Sequence, residues 1–298
     1  MPINDADLPG VWKDSDEESQ RGQRWTLRLT WAKVGAGVLA AFGGTLSWSI
    51  GQVDVASWLV LIGFFVALVS ELVSWATQPE RLWYEGRAVA ESAKTLSWRY
   101  SVGADPFPVE MSRAEAERKF RERMSAVADQ VADRVVFDAE QSVVTPPMES
   151  LRGCSFEDRR AAYVEHRTRD QQRWYAEKAR VNRGQATAWR VVLIVAEVVA
   201  VVLAAGRVFG GWPVDLAGLL AAVIAAGTAW VAVKQFSPLA SAYSVATKEL
   251  GVQASKLETV AEADWAVFAA DAEEAISREH TTWLASRTGR ATQPPAQP

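Results

Sequence analysis

The chain has 298 residues, 49% of them hydrophobic, and a formal net charge of −4. That acidic balance excludes a dedicated nucleic-acid binder, which needs a basic surface to neutralise phosphates. The single cysteine, Cys154, excludes an intrachain disulfide framework, and two histidines, His166 and His280, give no metal-ligand spacing.

Residues 1–23 carry Asp5, Asp7, Asp14, Asp16, Glu17 and Glu18 and contain no apolar core of a signal peptide. They read as a disordered acidic tail, with an ordered acidic contact as the alternative, and the first apolar segment is expected to serve as its own insertion signal. Two apolar segments follow, Trp31–Ile50 and Val55–Ala76, joined by the polar turn Gly51–Asp54. Each is about 20 residues, enough to cross a hydrocarbon core of ~30 Å at 1.5 Å per residue. Trp31 and Trp48 are 17 residues apart, as are Trp58 and Trp75, so each helix is expected to carry an indole near both bilayer interfaces. The pair reads as a transmembrane hairpin.

Pro79 ends the second span, and a helix to about Tyr100 carries Leu82, Val89, Ala93, Leu96 and Tyr100 as an apolar stripe. Such a stripe packs on a neighbour, in a bundle or a coiled-coil-like stalk. Asp105-Pro106-Phe107-Pro108 is a turn. Ser112 with Glu115 forms a capping box opening a helix to Gln141, with Phe120, Met124, Val127, Val131 and Val135 on one face. Residues 144–155, with Pro146-Pro147 and Gly153, read as a linker. From Phe156 a long helix rich in Arg and Lys, including Arg159, Arg167 and Arg169, leads into a third apolar span, Val191–Gly206. A loop at Arg207–Val214 turns it into a fourth, Asp215–Phe236, which ends at Ser237-Pro238. Helices are expected over Leu239–Val260 and Asp264–Arg287, the second with Asp264 as N-cap. Residues 288–298 read as a disordered tail. The domains are therefore 24–143 and 156–287, each a two-transmembrane hairpin with its own flanking helices.

An internal repeat links these halves. Trp31 to Pro79 spans 48 residues and Trp189 to Pro238 spans 49, and a tyrosine follows each proline by five, Tyr84 and Tyr243. With two spans per unit, the halves are parallel repeats related by an axis along the membrane normal. The two hairpin turns hold only Arg207 among the chain's lysines and arginines. By the positive-inside rule both termini and all the polar helices are expected in the cytosol. The fold class is thus an all-α membrane protein with four spans in two parallel-repeat hairpins and long cytosolic helices.

Two acids lie within apolar spans, Glu71 and Glu197, and an intramembrane charge costs at least ~2.5 kcal/mol, so each is a candidate functional group. Glu71 is near the cytosolic end of its span, and Glu197 near the middle of its own, where it either lines an oligomeric lumen or packs protonated. Lys234 differs from Glu197 in depth by roughly 18 Å and does not neutralise it within the same hairpin. Small residues recur every four positions at Ala32, Ala36, Ala40 and Gly44, and again at Ala217, Ala221, Ala225 and Ala229. Such stripes admit close helix approach, within one chain or as an oligomer seam. The basic run before the third span reads as juxtamembrane charge touching anionic lipid. No Walker loop, HExxH, GxSxG or paired CxxC is present. His280 with Glu279 and Glu273 reads as part of a solvated helix face. No enzyme activity, cofactor or metal is expected.

Three stretches resemble a known family: Trp83-Tyr84-Glu85-Gly86-Arg87 running on to Trp98-Arg99-Tyr100 and Asp105-Pro106-Phe107; Asp170-Gln171-Gln172-Arg173-Trp174-Tyr175 with Lys178-Ala179 and Asn182; and Glu274-Ala275-Ile276-Ser277-Arg278-Glu279-His280-Thr281-Thr282-Trp283. In their order around two hairpins they resemble tandem SLATT domains, the SMODS and SLOG-associating two-transmembrane effector domains. The resemblance covers Trp25–Arg287. It implies a bacterial inner-membrane effector of a nucleotide-linked conflict or anti-phage system that oligomerises and permeabilises the membrane when triggered. The partners it implies are the lipid bilayer, further copies of the chain, and a sensor or nucleotide signal encoded nearby. The competing readings are a housekeeping ion channel or transporter, and a membrane scaffold.

Overall fold

The computed structural model describes residues 3–45, 48–137, 142–211 and 215–288, with side chains in the last helix described as far as Ser277. The chain is almost wholly helical. Its helices are α1 (Gly10–Thr45), α2 (Val55–Thr77), α3 (Pro79–Val102), α4 (Arg113–Ala128), α5 (Pro146–Arg152), α6 (Phe156–Tyr163), α7 (Asp170–Gly210), α8 (Leu216–Lys234), α9 (Phe236–Thr259) and α10 (Trp265–Thr288). A π-helical stretch, Val164–Arg169, joins α6 to α7. Two short strands, β1 (Ser49–Ile50) and β2 (Val53–Asp54), pair antiparallel in the turn between α1 and α2, with Ile50 opposite Val53.

These elements assort into two compact units that cut across the sequence halves. One holds residues 1–22, 81–178 and 242–298, the other residues 23–80 and 179–241.

The first unit is a helical bundle whose centre is α3. Val89, Ala90, Ala93, Trp98, Tyr100 and Val102 on this helix are all buried. Two of the intervening polar positions are serines that satisfy themselves on the helix's own carbonyls. Ser97 donates to the Ala93 carbonyl and Ser101 to that of Ser97, each at 2.7 Å. Around α3 one core joins Phe120 and Met124 of α4, Met148 and Leu151 of α5, Tyr163 of α6, Leu257 of α9, and Trp265 and Ala269 of α10. Leu96, Phe120 and Leu257 share this core, with Val127 packed at its edge. Leu250 belongs to a smaller cluster with Tyr175 and Ile276. The indole of Trp265 donates to the Val102 carbonyl at 2.8 Å, closing one of the carbonyls left open at the end of α3.

Three expectations in this unit need correction. Of the acidic segment 1–23, the described residues 3–23 are not a tail: α1 begins at Gly10, Ile3 and Leu8 enter the core, and Ser15 and Ser19 are buried. Asp16 turns inward to pair with Arg87 of α3 at 3.3 Å, and the serines let α1 approach α3 closely at Gly86, whose added Cβ would meet Ser19 at 3.2 Å. The proposed linker 144–155 contains α5, where prolines occupy the first helical positions that lack hydrogen-bond partners in any case. Arg152 of α5 donates to the carbonyls of Tyr100, Phe107 and Pro108 at 2.8, 2.7 and 2.8 Å, clamping the Asp105–Pro108 turn. The helix from Ser112 stops at Ala128, well short of Gln141, and continues only as the 3-10 turn Asp129–Val131. Its Ser112 cap is present, accepting from the Glu115 amide at 3.4 Å.

The second unit assembles the apolar parts of α1 and α7 with α2 and α8. Its two turn-plus-helix segments use the same devices. Asp54 caps α2 by accepting from the Ser57 amide at 3.1 Å, and Asp215 caps α8 by accepting from the Gly218 amide at 2.9 Å. Each helix then ends on a glutamine in the left-handed region, Gln78 at φ 43° and Gln235 at φ 52°. The break after α8 is therefore at Gln235, and Pro238 lies inside α9. Among the described residues, three helical stretches are long and apolar enough to cross a membrane: Val55–Val102, Phe156–Gly210 and Leu216–Thr259. The segment Trp31–Ile50 is not among them. Its helix ends at Thr45, β1 takes Ser49 and Ile50, and Gly35, Gly37, Gly43 and Gly44 dilute its apolar character. The tail 288–298 falls, beyond Thr288, outside the described residues.

Candidate functional site

In the second unit the close contact between α1 and α2 is built from residues without bulk. A Cβ placed on Gly63 would lie 2.7 Å from the Ala36 carbonyl oxygen and 2.9 Å from the Ala40 Cβ; one on Gly43 would lie 2.7 Å from the Ala56 carbonyl oxygen. Ala36 and Ala40 lie against Gly63, at 4% and 7% exposure. Gly44 does not: it is exposed with nothing within 4 Å, and the seam continues through Gly43 instead. The period drifts from four to three because a 3.6-residue helix cannot hold one face at a strict four-residue repeat.

On α8 the expected stripe is displaced more completely. Ala221, Ala225 and Ala229 are all exposed. α8 meets α7 through Gly227, whose added Cβ would meet Leu193 at 3.1 Å and Trp189 at 3.5 Å. The alanine face thus points away from the chain's own helices. Trp230 is buried and stacks on Trp31 with ring centroids 4.5 Å apart, joining α8 to α1.

The two intramembrane acids have different surroundings. Glu71 pairs with Lys33 at 2.6 Å, across from α2 to α1. The sequence contains the signal for this pair: both residues lie 19 positions from Gln52 in the turn, so helical rise puts them at one depth. Glu197 is exposed on α7, flanked by Ile194, Val198 and Val201, which are 52%, 59% and 69% exposed. No hydrogen bond or ion pair joins it to any described residue. Lys234 sits over the Trp230 ring at 5.2 Å. At the turns, Asp215 bonds Arg207 at 2.5 Å. In the other turn, the Ser57 hydroxyl and amide hold the Asp54 carboxyl below its ordinary value.

The bundle holds a polar cluster that the sequence pattern did not disclose. Arg167, 1% exposed at its side chain, grips the fully buried Glu273 through Nε and Nη2, both at 2.8 Å. Tyr163 donates to Glu273 at 3.0 Å and Thr95 of α3 donates to it at 2.9 Å. Burial, together with the Glu273 charge, pushes the Tyr163 phenol well above its ordinary value, so it remains a donor. Neither Arg167 nor Glu273 belongs to a solvated face, and Arg159 is buried as well. Only the outer members of the basic run, such as Arg169 and Arg173, form exposed pairs, both with Glu165. Arg278, Glu279 and His280 lie outside the described side chains. Among the described residues no group of His, Cys, Asp or Glu converges so as to hold a metal ion.

An almost wholly helical chain with, among its described residues, three stretches able to cross a bilayer, and a close-packed small-residue seam, is a membrane-associated helical protein. The chain belongs to the SLATT family. The model of SMODS and SLOG-associating 2TM effector domain 3 matches residues 9–160, and that of SMODS and SLOG-associating 2TM effector domain 1 matches residues 163–283. No curated protein and no solved structure matches it.

Proposed function

We propose that the chain is an inner-membrane effector of a bacterial conflict or anti-phage system, which self-associates on a trigger and permeabilises the bilayer. In this reading all four apolar segments span the membrane as two parallel-repeat hairpins, with both termini and the bundle cytosolic. The matching caps at Asp54 and Asp215 and the matching breaks at Gln78 and Gln235 support the repeat. The lysine and arginine asymmetry supports the orientation. The reading assigns the chain no catalytic step. The trigger reaches it from a sensor or a nucleotide signal encoded nearby.

The observation that carries the proposal is Glu197, an exposed carboxylate amid exposed valines with no partner among the described residues. A charge so placed is costly against lipid tails and is relieved where copies of the chain enclose a hydrated path. There it would be ionised and favour cations. The experiment expresses the chain with its native neighbouring genes, triggers the system, and follows a potential-sensitive dye alongside viability. Depolarisation that precedes death, and is weakened by Glu197→Gln with insertion intact, is the expected result. A membrane that stays polarised while cells die removes pore formation. No response to the trigger favours a housekeeping channel or a scaffold.

A further inference from the structure

The bundle unit contains a polar cavity of about 330 Å3, and its donors do not belong to the membrane-crossing reading. Asn4 and Asp5 of the N-terminal turn, Lys94 of α3, and His166, Arg167 and Gln171 at the junction of the π-helical stretch with α7 line it, beside Trp98. His166 comes from the π-helical stretch and Gln171 from the first turn of α7, and both line the cavity. The lining is rich in groups that donate hydrogen bonds: an ammonium, a guanidinium, an imidazole and two amides.

Arg167 supplies the second observation. Its Nε and Nη2 are turned to Glu273, and the remaining nitrogen, Nη1, is buried with no hydrogen-bond partner among the described residues. A buried guanidinium N–H without an acceptor is costly, and Arg167 is among the residues that line the cavity. Lys94 is already occupied, by a partner that can leave. Its Nζ lies 2.5 Å from Asp5 Oδ1, and the Asp5 side chain is 59% exposed. Asp170, the other acid at the cavity, is bonded to Arg173 at 3.4 Å.

We propose that this cavity is a binding site for a small soluble phosphate-bearing ligand, held by Lys94, Arg167 Nη1 and His166, and that Asp5 is the internal carboxylate it displaces. The chemistry is that of phosphate recognition by a lysine point charge and an arginine fork. The volume is at the small end of ligand sites, which suits a compact anion. Asp5 sits in the turn Asp5–Asp7, which Ile3 and Leu8 pin into the core on either side. Displacing it therefore moves a side chain and leaves the anchors in place.

The test is calorimetric titration of inorganic pyrophosphate into the full chain in detergent at low ionic strength. The expected result is saturable binding, weakened about tenfold by Lys94→Gln, which removes one charge-assisted contact. Asp5→Asn tightens it several-fold because the internal competitor is gone, an effect that a merely structural Asp5 would not produce. Binding seen only in Asp5→Asn supports the proposal equally, with Asp5 then holding the site shut. No saturable binding to either the native chain or Asp5→Asn overturns it. Binding that ignores both substitutions also overturns it, since the anion then sits elsewhere. Displacement of pyrophosphate by short-chain phosphatidylglycerol would assign the site to a lipid headgroup and overturn the soluble ligand.

Discussion

Arg167 and Glu273, 106 residues apart in sequence, form a two-pronged ion pair wholly enclosed in the bundle. Thr95, which also bonds Glu273, comes from the stretch matched by the first family model, whereas Arg167 and Glu273 come from the second. The cluster therefore ties the two tandem domains together inside one core.

Removing one partner of such a pair strands the other charge in a low-dielectric interior. Glu273→Gln or Arg167→Met alone should each destabilise the bundle by about 3–5 kcal/mol. The double replacement Arg167→Met with Glu273→Leu should cost less than either, since no charge is left unpaired. Glu258→Gln, which breaks the exposed pair with Arg169, should cost under about 1 kcal/mol. Thermal unfolding of the full chain in detergent, followed by circular dichroism, orders the four variants. A double variant worse than both singles would show that the pair contributes net stability.

The buried phenol beside this pair gives a signature at high pH. Tyr163 has its folded value raised by burial and by Glu273, so the native state holds its proton more tightly than the unfolded chain. Its contribution to stability is complete below the ordinary tyrosine value of about 10 and is lost as the pH rises above it. In an alkaline titration read by phenolate absorbance, Tyr163 should ionise only together with unfolding, as should the equally buried Tyr100 and Tyr175, and Tyr163→Phe should lower the amplitude of that late step by one phenol. Five-tyrosine ionisation in a single early phase would contradict the burial.

What the sequence disclosed follows from how far each signal reaches. The apolar segments were legible because a long run without charge has few other uses. The α3 stripe was legible because packing repeats at helical spacing. The order of segment 1–23 was hidden because its acids dominate the composition, while the buried face consists of serines that no hydropathy pattern marks. α5 was hidden because Pro146-Pro147 reads as a break when it is a helix start. Gln78 and Gln235 were hidden because a left-handed helix end is ordinarily written with glycine. The Lys33–Glu71 pair needed only a depth count from the turn, whereas Arg167–Glu273 depends on a π-helical register and on tertiary proximity that no local spacing encodes.

Gly63 tests the small-residue seam. Gly63→Val places branched bulk where even a Cβ would be 2.7 Å from the Ala36 carbonyl oxygen, and overpacking of this kind costs about 1–3 kcal/mol. Gly44→Val meets nothing within 4 Å and should leave the thermal stability of detergent-dispersed protein within about 0.5 kcal/mol of native. Equal losses in both would mean that the seam does not run through Gly43 and Gly63.

The Lys33–Glu71 pair provides a test of where the hairpin sits. Nineteen residues from the turn at Gln52 correspond to ~28 Å of helix, close to the full thickness of a hydrocarbon core of ~30 Å. The pair then lies at the interface remote from the turn, where the surroundings are partly wet. Its side chains are 32% and 68% exposed, so solvent screening limits its strength to about 1 kcal/mol. Lys33→Glu and Glu71→Lys each set like charges 2.6 Å from where the native atoms meet, and each should lower the melting temperature in nanodiscs. The exchange of both residues should restore it, because the geometry only reverses its sign. A loss well above 2.5 kcal/mol in the single variants would place the pair in the hydrocarbon instead, and the first hairpin would then have to sit deeper than its turn-to-pair length allows.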